Sequence, residues 1–327
     1  MKRFFSVAFC VTMVFAAGCS QAPQGDAIDA LPKAHRAWLD AGAKNQDLLY
    51  VSNGNAEVTV YRYWQQQLVG VLTDFTEPKG ICTDANQNVY IADYAARQIV
   101  EYAHGGTKPI AKFDDSPDSP YSCWVDRASG NLAVANDDGT SAQGNIAIWS
   151  AASGIRTTYT DSAITSFQFC AFDDHGNLLA TNGSVDYRNT TMFAWLPKGG
   201  AKLINVRVPQ PNPSYRKWYS VLGIQWDGKY FVIDDYDAMY RESLIHGQVY
   251  YVGTTEAYAE ESSGQGPVGF YTPPDASQAT QVVQGMGSEE SYSSVDYWKY
   301  PAGGGDPIAQ ITHAIDKPFG VAVSLKK

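Results

Sequence analysis

Pro78-Lys79-Gly80-Ile81-Cys82-Thr83-Asp84 opens the stretch that decides how this 327-residue chain folds. Asn88-Val89-Tyr90-Ile91-Ala92-Asp93, Gln98-Ile99-Val100-Glu101-Tyr102 and Pro109-Ile110-Ala111-Lys112-Phe113 follow it. Each run is short, rich in β-branched and aromatic residues, and bounded by turn residues such as Gly105-Gly106, the pattern of a strand. Four such runs in succession make an antiparallel meander. The pattern returns at Cys123-Trp124-Val125-Asp126, Asn131 to Asn136 and Ile146 to Trp149. It returns again at Cys170 to Asp173, Asn177 to Asn182 and Met192 to Trp195. A further copy runs through Gly223 to Asp227, Tyr230 to Asp234 and Val249-Tyr250-Tyr251.

Spacing of the first strand then counts the units. Ile81, Cys123, Cys170, Ile224 and Val321 mark it, with gaps of 42, 47, 54 and 97. The last gap is twice the others, so one unit with a degenerate opening lies inside it; Val295 to Trp298 and Pro307 to Ile311 supply its outer strands. Pro318 to Val323 is a first strand with no successors, whereas Leu48 to Val51, Val58 to Tyr61 and Leu68 to Val71 lack a first strand. Joined, the two ends complete one unit. The expectation is an all-β, six-bladed β-propeller of four-stranded antiparallel blades, closed by the C-terminal strand joining the N-terminal blade. Such a ring removes open sheet edges.

Pro-x-Gly-Ile-x-x-Asp followed by Asn-x-Tyr-x-Ala-Asp resembles the NHL repeat of six-bladed propellers, over about Asp47 to Ser324. The resemblance implies the fold and little about function, because propellers host unrelated activities. At the level of fold it extends to the regucalcin and gluconolactonase group, which sets Glu, Asn and Asp on a central divalent ion. No matching Glu stands in this sequence, which counts against a lactonase.

Residues 1–18 read as a secretory leader: Met1, Lys2 and Arg3, then an apolar run from Phe4 to Ala17. It ends in Ala16-Ala17-Gly18-Cys19, which resembles the bacterial lipobox and implies lipidation of Cys19. Residues 19–45 then form a tether and 46–327 the propeller. The expectation is an exported bacterial lipoprotein on the cell membrane or outer membrane, with the lipid bilayer as its partner through the N-terminal anchor.

Charged residues make up 18% of the chain and hydrophobic ones 44%, enough apolar surface to fold. The 24 basic and 34 acidic residues give a net charge of −10, and a leader carrying two of the basic ones would leave −12 on the mature chain. Nucleic acid is therefore excluded as a partner, since phosphates call for a basic surface.

Asn53, Asp93, Asn136, Asn182 and Asp234 recur at the end of the second strand. Such a polar ring around the channel could hold a cation or sugar. One copy per blade, however, favours a structural role, with side chains bonding loop N–H groups. No cofactor is expected; a Ca ion at the channel mouth is the one that the clusters Asp114-Asp115, Asp137-Asp138, Asp173-Asp174 and Asp234-Asp235 would admit. The five histidines show no metal-ligand spacing and read as turn residues, so no metal site or catalytic residue is assigned.

Cys82, Cys123 and Cys170 lie on innermost strands of consecutive blades. Counted from Asp84, Asp126 and Asp173, Cys82 falls one residue later than the other two. Side chains alternate faces along a strand. Neighbouring blades touch through opposite faces, so Cys82 can meet Cys123 if blade handedness brings those faces together, and Cys170 stays free. The rival is three buried apolar thiols.

Turns between first and second strands are tight, while second-to-third loops and interblade links on the opposite face are long. Those loops carry Tyr94, Arg97, Arg188, Tyr215, Arg216, Trp218, Tyr236, Tyr240 and Arg241, the residue types that dominate binding hot spots. The expected function is a non-catalytic binding module for an envelope protein, peptide or glycan. The alternative is a metal-dependent hydrolase of the lactonase type at the central channel.

Overall fold

The period-2 runs become strands, and the turn residues between them become hairpins, in a computed structural model. It describes residues 36–137, 143–183, 193–206, 221–235, 238–257, 270–271, 281–287, 293–304 and 306–327. The first sheet holds β1 (Trp38–Leu39), β2 (Leu48–Ser52), β3 (Val58–Arg62) and β4 (Gln67–Leu72). The second comprises β5 (Pro78–Thr83), β6 (Val89–Asp93), β7 (Gln98–Tyr102) and β8 (Pro109–Asp114). The third is β9 (Pro120–Val125), β10 (Leu132–Asn136), β11 (Asn145–Trp149) and β12 (Arg156–Tyr159). In the fourth, β13 (Phe169–Phe172), β14 (Leu178–Thr181), β15 (Phe193–Leu196) and β16 (Ile204–Val206) follow. The fifth contains β17 (Gly223–Trp226), β18 (Phe231–Asp235), β19 (Ala238–Ile245) and β20 (Gln248–Glu256). A sixth has β21 (Phe270–Tyr271), β22 (Gln281–Gly287), β23 (Ser293–Lys299) and β24 (Ala309–Ile311).

β25 (Gly320–Ser324) returns to the first sheet, which runs β1-β4-β3-β2-β25. Leu49 lies opposite Val323 and Val51 opposite Val321, all antiparallel. Innermost strands neighbour one another in the circuit β25, β5, β9, β13, β17, β21 and back to β25. The protein is an all-β propeller of four-stranded antiparallel blades.

The core lies between sheets. Leu48, Tyr50, Val60, Ile91 and Val100 fill the space between the first and second, and Leu49, Tyr61, Val295, Tyr297 and Val323 that between the first and sixth. Both faces of a blade are therefore apolar, which explains the low share of charged residues. Close approach of the innermost strands requires glycine in the Pro-x-Gly signature. A Cβ on Gly80 would lie 2.6 Å from Ser122 Cα, and one on Gly320 would lie 2.5 Å from the Lys79 carbonyl oxygen. Cys82 of β5 and Cys123 of β9 are joined by a disulfide with Cα atoms 5.7 Å apart. Cys170 is a buried free thiol, its pKa pushed up to about 12 by burial.

Three expectations need correction. Tyr240 and Arg241, expected on a long second-to-third loop, lie on a strand: β19 covers Ala238–Ile245, and Val249-Tyr250-Tyr251 belongs to the fourth strand β20, not the third. A two-residue hairpin makes this possible. His246 and Gly247 both take left-handed backbone (φ 50° and 77°), as a type I′ turn requires, although His-Gly is not the usual Asn-Gly signal. Secondly, the folded body starts before residue 46. Trp38 and Leu39 pair with Val71 and Gly70 on the edge of β4, and Ala43 is fully buried. Pairing with a strand edge gives that short segment the partners its composition did not advertise. Thirdly, His104 is not a solvated turn residue: its Nδ1 is 2.6 Å from Ser324 Oγ at the clasp, and burial lowers its pKa.

Candidate channel mouth

The loop face of the ring centre is built by three lead-in segments. Pro78-Lys79-Gly80 starts β5, Pro120-Tyr121-Ser122 starts β9, and Pro318-Phe319 leads into β25 at Gly320. Their middle residues converge. Lys79 Nζ stands 3.9 Å from the Tyr94 ring centroid, 4.5 Å from Tyr121 and 5.4 Å from Phe319. Glu77 Oε1 closes the group at 3.2 Å from Nζ; the Lys79 side chain is 12% exposed and that of Glu77 42%. Tyr121 meets Tyr94 and Phe169 edge-on, at 6.3 and 5.5 Å between centroids. Burial, with lesser contributions from Asp137, Tyr94 and Glu77, pushes the Tyr121 hydroxyl up to about 12. The mouth therefore presents a caged ammonium in an electronegative, aromatic rim.

Sequence reading named Tyr94 at this place and missed Lys79, Tyr121, Phe319 and Phe169. A signal existed: Lys79, Tyr121 and Phe319 occupy the same middle position of the lead-in triplet. Tyr94, whose amide N–H donates to the Glu77 carbonyl at 2.9 Å, begins the tight turn Tyr94 to Arg97. Arg97 is exposed and holds φ 54°, and its carbonyl accepts the Asp115 N–H. Tyr240 and Arg241 are not on this face. They are consecutive on β19, so they point to opposite sides of the fifth sheet: Tyr240 is buried with Ile233 and Phe231, and Arg241 lies over Gly253. Arg188, Tyr215, Arg216, Trp218 and Tyr236 lie outside the described residues, as do the leader, Cys19 and the tether as far as residue 35.

The five second-strand termini differ in their partners. Asp93 is fully buried, and its carboxylate accepts the Glu77 N–H at 2.8 Å and the Thr76 N–H at 3.1 Å. Asn53 accepts the Asp316 N–H at 2.9 Å and donates to Thr59 Oγ1 at 3.0 Å. In both sheets the side chain fixes the lead-in to that sheet's own innermost strand. Asn136 donates to Asn145 Oδ1 at 3.0 Å, and Asp234 is buried, its carbonyl accepting the Leu222 N–H. Asn182 is half-buried, with an Oδ1 that meets no hydrogen-bond donor among the described residues.

Acidic neighbours are also committed. Arg156 from β12 pairs with Asp115 at 2.7 Å and with Asp118. Asp137 accepts from Ser166 Oγ at 2.6 Å and Gln168 Nε2 at 2.8 Å. Asp84, Asp126, Asp173 and Asp227 cap the opposite-face turns; Asp84 Oδ1, for example, accepts the Asn88 N–H at 2.7 Å. Among the described residues no three His, Cys, Asp or Glu side chains gather as a metal-ligand set.

Two small cavities lie along the innermost strands. A cavity of about 40 Å³ is lined by Gly80, Ser122, Phe169, Gln225 and Gly320. A second, of about 30 Å³, lies toward the other end between Trp124, Arg127, Trp226 and Tyr271. Each has room for a few water molecules.

No family model and no curated protein matches the sequence. Solved structures are similar in fold. A chain of a nidogen/laminin complex superposes with a TM-score of 0.62 at 12% identity, over 86% of this chain and 99% of that one. A protein of unknown function from Bacteroides caccae superposes with a TM-score of 0.63 at 10% identity, over 86% and 100%. At these identities the likeness bears on the propeller fold alone.

Proposed function

We propose that this chain is a lipid-anchored binding module of the bacterial cell envelope, a six-bladed propeller of NHL type with no catalytic role of its own. The loop face around the channel mouth takes a protein, peptide or glycan. One observation carries the reading: aromatic and charged side chains converge at the mouth on strand lead-ins. A rigid scaffold presenting aromatics and a half-exposed carboxylate is suited to recognition. The six sheets and the closed circuit of innermost strands support the blade count and the clasp. The Cys82–Cys123 disulfide suits an oxidising compartment outside the cytoplasm. β1 starts opposite Val71, at the loop-face end of β4, so the chain leading from Cys19 joins the body on that side.

The test has two arms, both on the full chain made in a bacterium with its own leader. An alkyne-tagged palmitate should label the wild type and not Cys19→Ser; an unlabelled wild type removes the anchor. Photo-crosslinking from the loop face in intact envelopes should capture a partner, with yield falling at least tenfold in Arg97→Ala/Arg188→Ala/Trp218→Ala. Undiminished capture by a variant with native thermal midpoint removes the binding face.

A further inference from the structure

The Lys79 side chain occupies a site whose chemistry is that of a receptor for ammonium groups. Three rings surround Nζ, at 3.9, 4.5 and 5.4 Å to their centroids, and each offers a π face to a cation. Glu77 adds a carboxylate at 3.2 Å. Asp137 lies close enough to act on the Tyr121 hydroxyl, and its own partners, Ser166 and Gln168, are neutral. The whole chain carries −10, so its field draws cations toward it.

Lys79 is the second residue of β5, and its ammonium is carried on a flexible stem outside the hydrophobic clusters. Its main chain is fixed independently, with Ser52 Oγ donating to its carbonyl. Moving the side chain away disturbs no strand pairing: the register of β5 on β6 skips from Pro78 to Ile81, leaving Lys79 outside the ladder.

We infer that the mouth is a lysine-recognition cage in which Lys79 is an internal stand-in, displaced when a lysine side chain of a partner protein enters. This deepens, and rests on, the reading of the loop face as a binding surface. It also gives that face a class of ligand: a primary alkylammonium on a straight apolar stem, the group the cage already accommodates. An intramolecular competitor keeps a high effective concentration, so free lysine binds the wild type weakly. A partner gains entry by adding contacts to the surrounding loops.

The experiment measures binding of Nα-acetyl-lysine methylamide by NMR titration, with the uncharged norleucine analogue and phosphocholine as comparators. Lys79→Ala empties the cage and should bind the lysine amide at least tenfold more tightly than wild type, and at least tenfold more tightly than it binds norleucine amide. Adding Tyr121→Leu should return the affinity to the wild-type level. Lys79→Ser, which also vacates the cage, replaces Lys79→Ala should the latter lower the thermal midpoint. A folded Lys79 variant that gains no affinity for the lysine amide overturns the inference. So does one that binds phosphocholine more tightly, which would assign the cage to a lipid headgroup. If the cage fails while the loop substitutions still abolish crosslinking, the binding face stands without it; if crosslinking is also untouched, both readings fall.

Discussion

Glu242 shows how much a single buried side chain can set. It sits on β19 opposite Phe231 and Tyr251, fully buried, and neither carboxylate oxygen has a hydrogen-bond partner among the described residues. Burial pushes its pKa from 4.5 to about 8. The folded chain thus keeps a proton that the unfolded chain has lost, throughout the window from 4.5 to 8. Stability falls as pH rises through that window, by on the order of 4 kcal/mol at pH 8, and the penalty vanishes below the unfolded value. Glu242→Gln should flatten the thermal midpoint between pH 5 and pH 8 and raise it at the alkaline end. An unchanged pH slope in the variant would show that this carboxyl is not held neutral. None of this is written in the local sequence, where Arg241-Glu242-Ser243 looks like a solvated edge. Lys79 and Tyr121, by contrast, carry a local sign, their shared place in Pro-x-Gly and its variant, but their meeting depends on β5 and β9 being neighbours.

Pairs of strands decide the next level. β5 and β9 are covalently joined through Cys82 and Cys123, 41 residues apart in sequence. Removing a crosslink that closes a loop of this size costs about 4 kcal/mol in the chain-entropy account. Urea denaturation of Cys82→Ser/Cys123→Ser should show a loss of that order, and a loss well under 1 kcal/mol would mean that blade packing alone orders these strands. Alternation of side chains was enough to place Cys82 and Cys123 on faces that could meet. Handedness of the ring supplied the remainder, because strand twist fixes which face of one blade meets which face of the next. Edge strands gave the opposite experience. β1 is two residues of a segment rich in Ala and polar residues, recognisable only through the β4 edge that it covers. The hairpin at His246-Gly247 was hidden because His-Gly is not the usual Asn-Gly or Asp-Gly signal, and here pairing of Ile245 with Gln248 closes the turn.

Closure is a property of the whole ring. β25 pairs along its length with β2 and packs beside β5, so ten residues at one end of the chain seal sheets assembled from the other. Tyr61 OH donates to the His313 and Ala314 carbonyls, and Ser324 Oγ to the Gln87 carbonyl, which ties the clasp at both ends. Deleting residues 318–327 would bare the inner edge of β2 and the apolar face of β5, surfaces prone to intermolecular pairing. The truncated chain should lose its cooperative thermal transition in circular dichroism and elute as aggregate in gel filtration. A sharp transition at the native temperature would show that the ring does not depend on its clasp.

By itself the sequence determined the repeat, the four-strand meander of the clearest copies and the split blade, because these follow from hydrophobic alternation and turn residues acting over a few positions. The mouth was decided only in three dimensions. Lys79, Tyr94, Tyr121, Phe319 and Glu77 span most of the chain, and no short-range rule links them. They meet because glycines at the lead-ins let innermost strands approach to backbone contact around a narrow axis, which forces the preceding side chains out onto one shared rim.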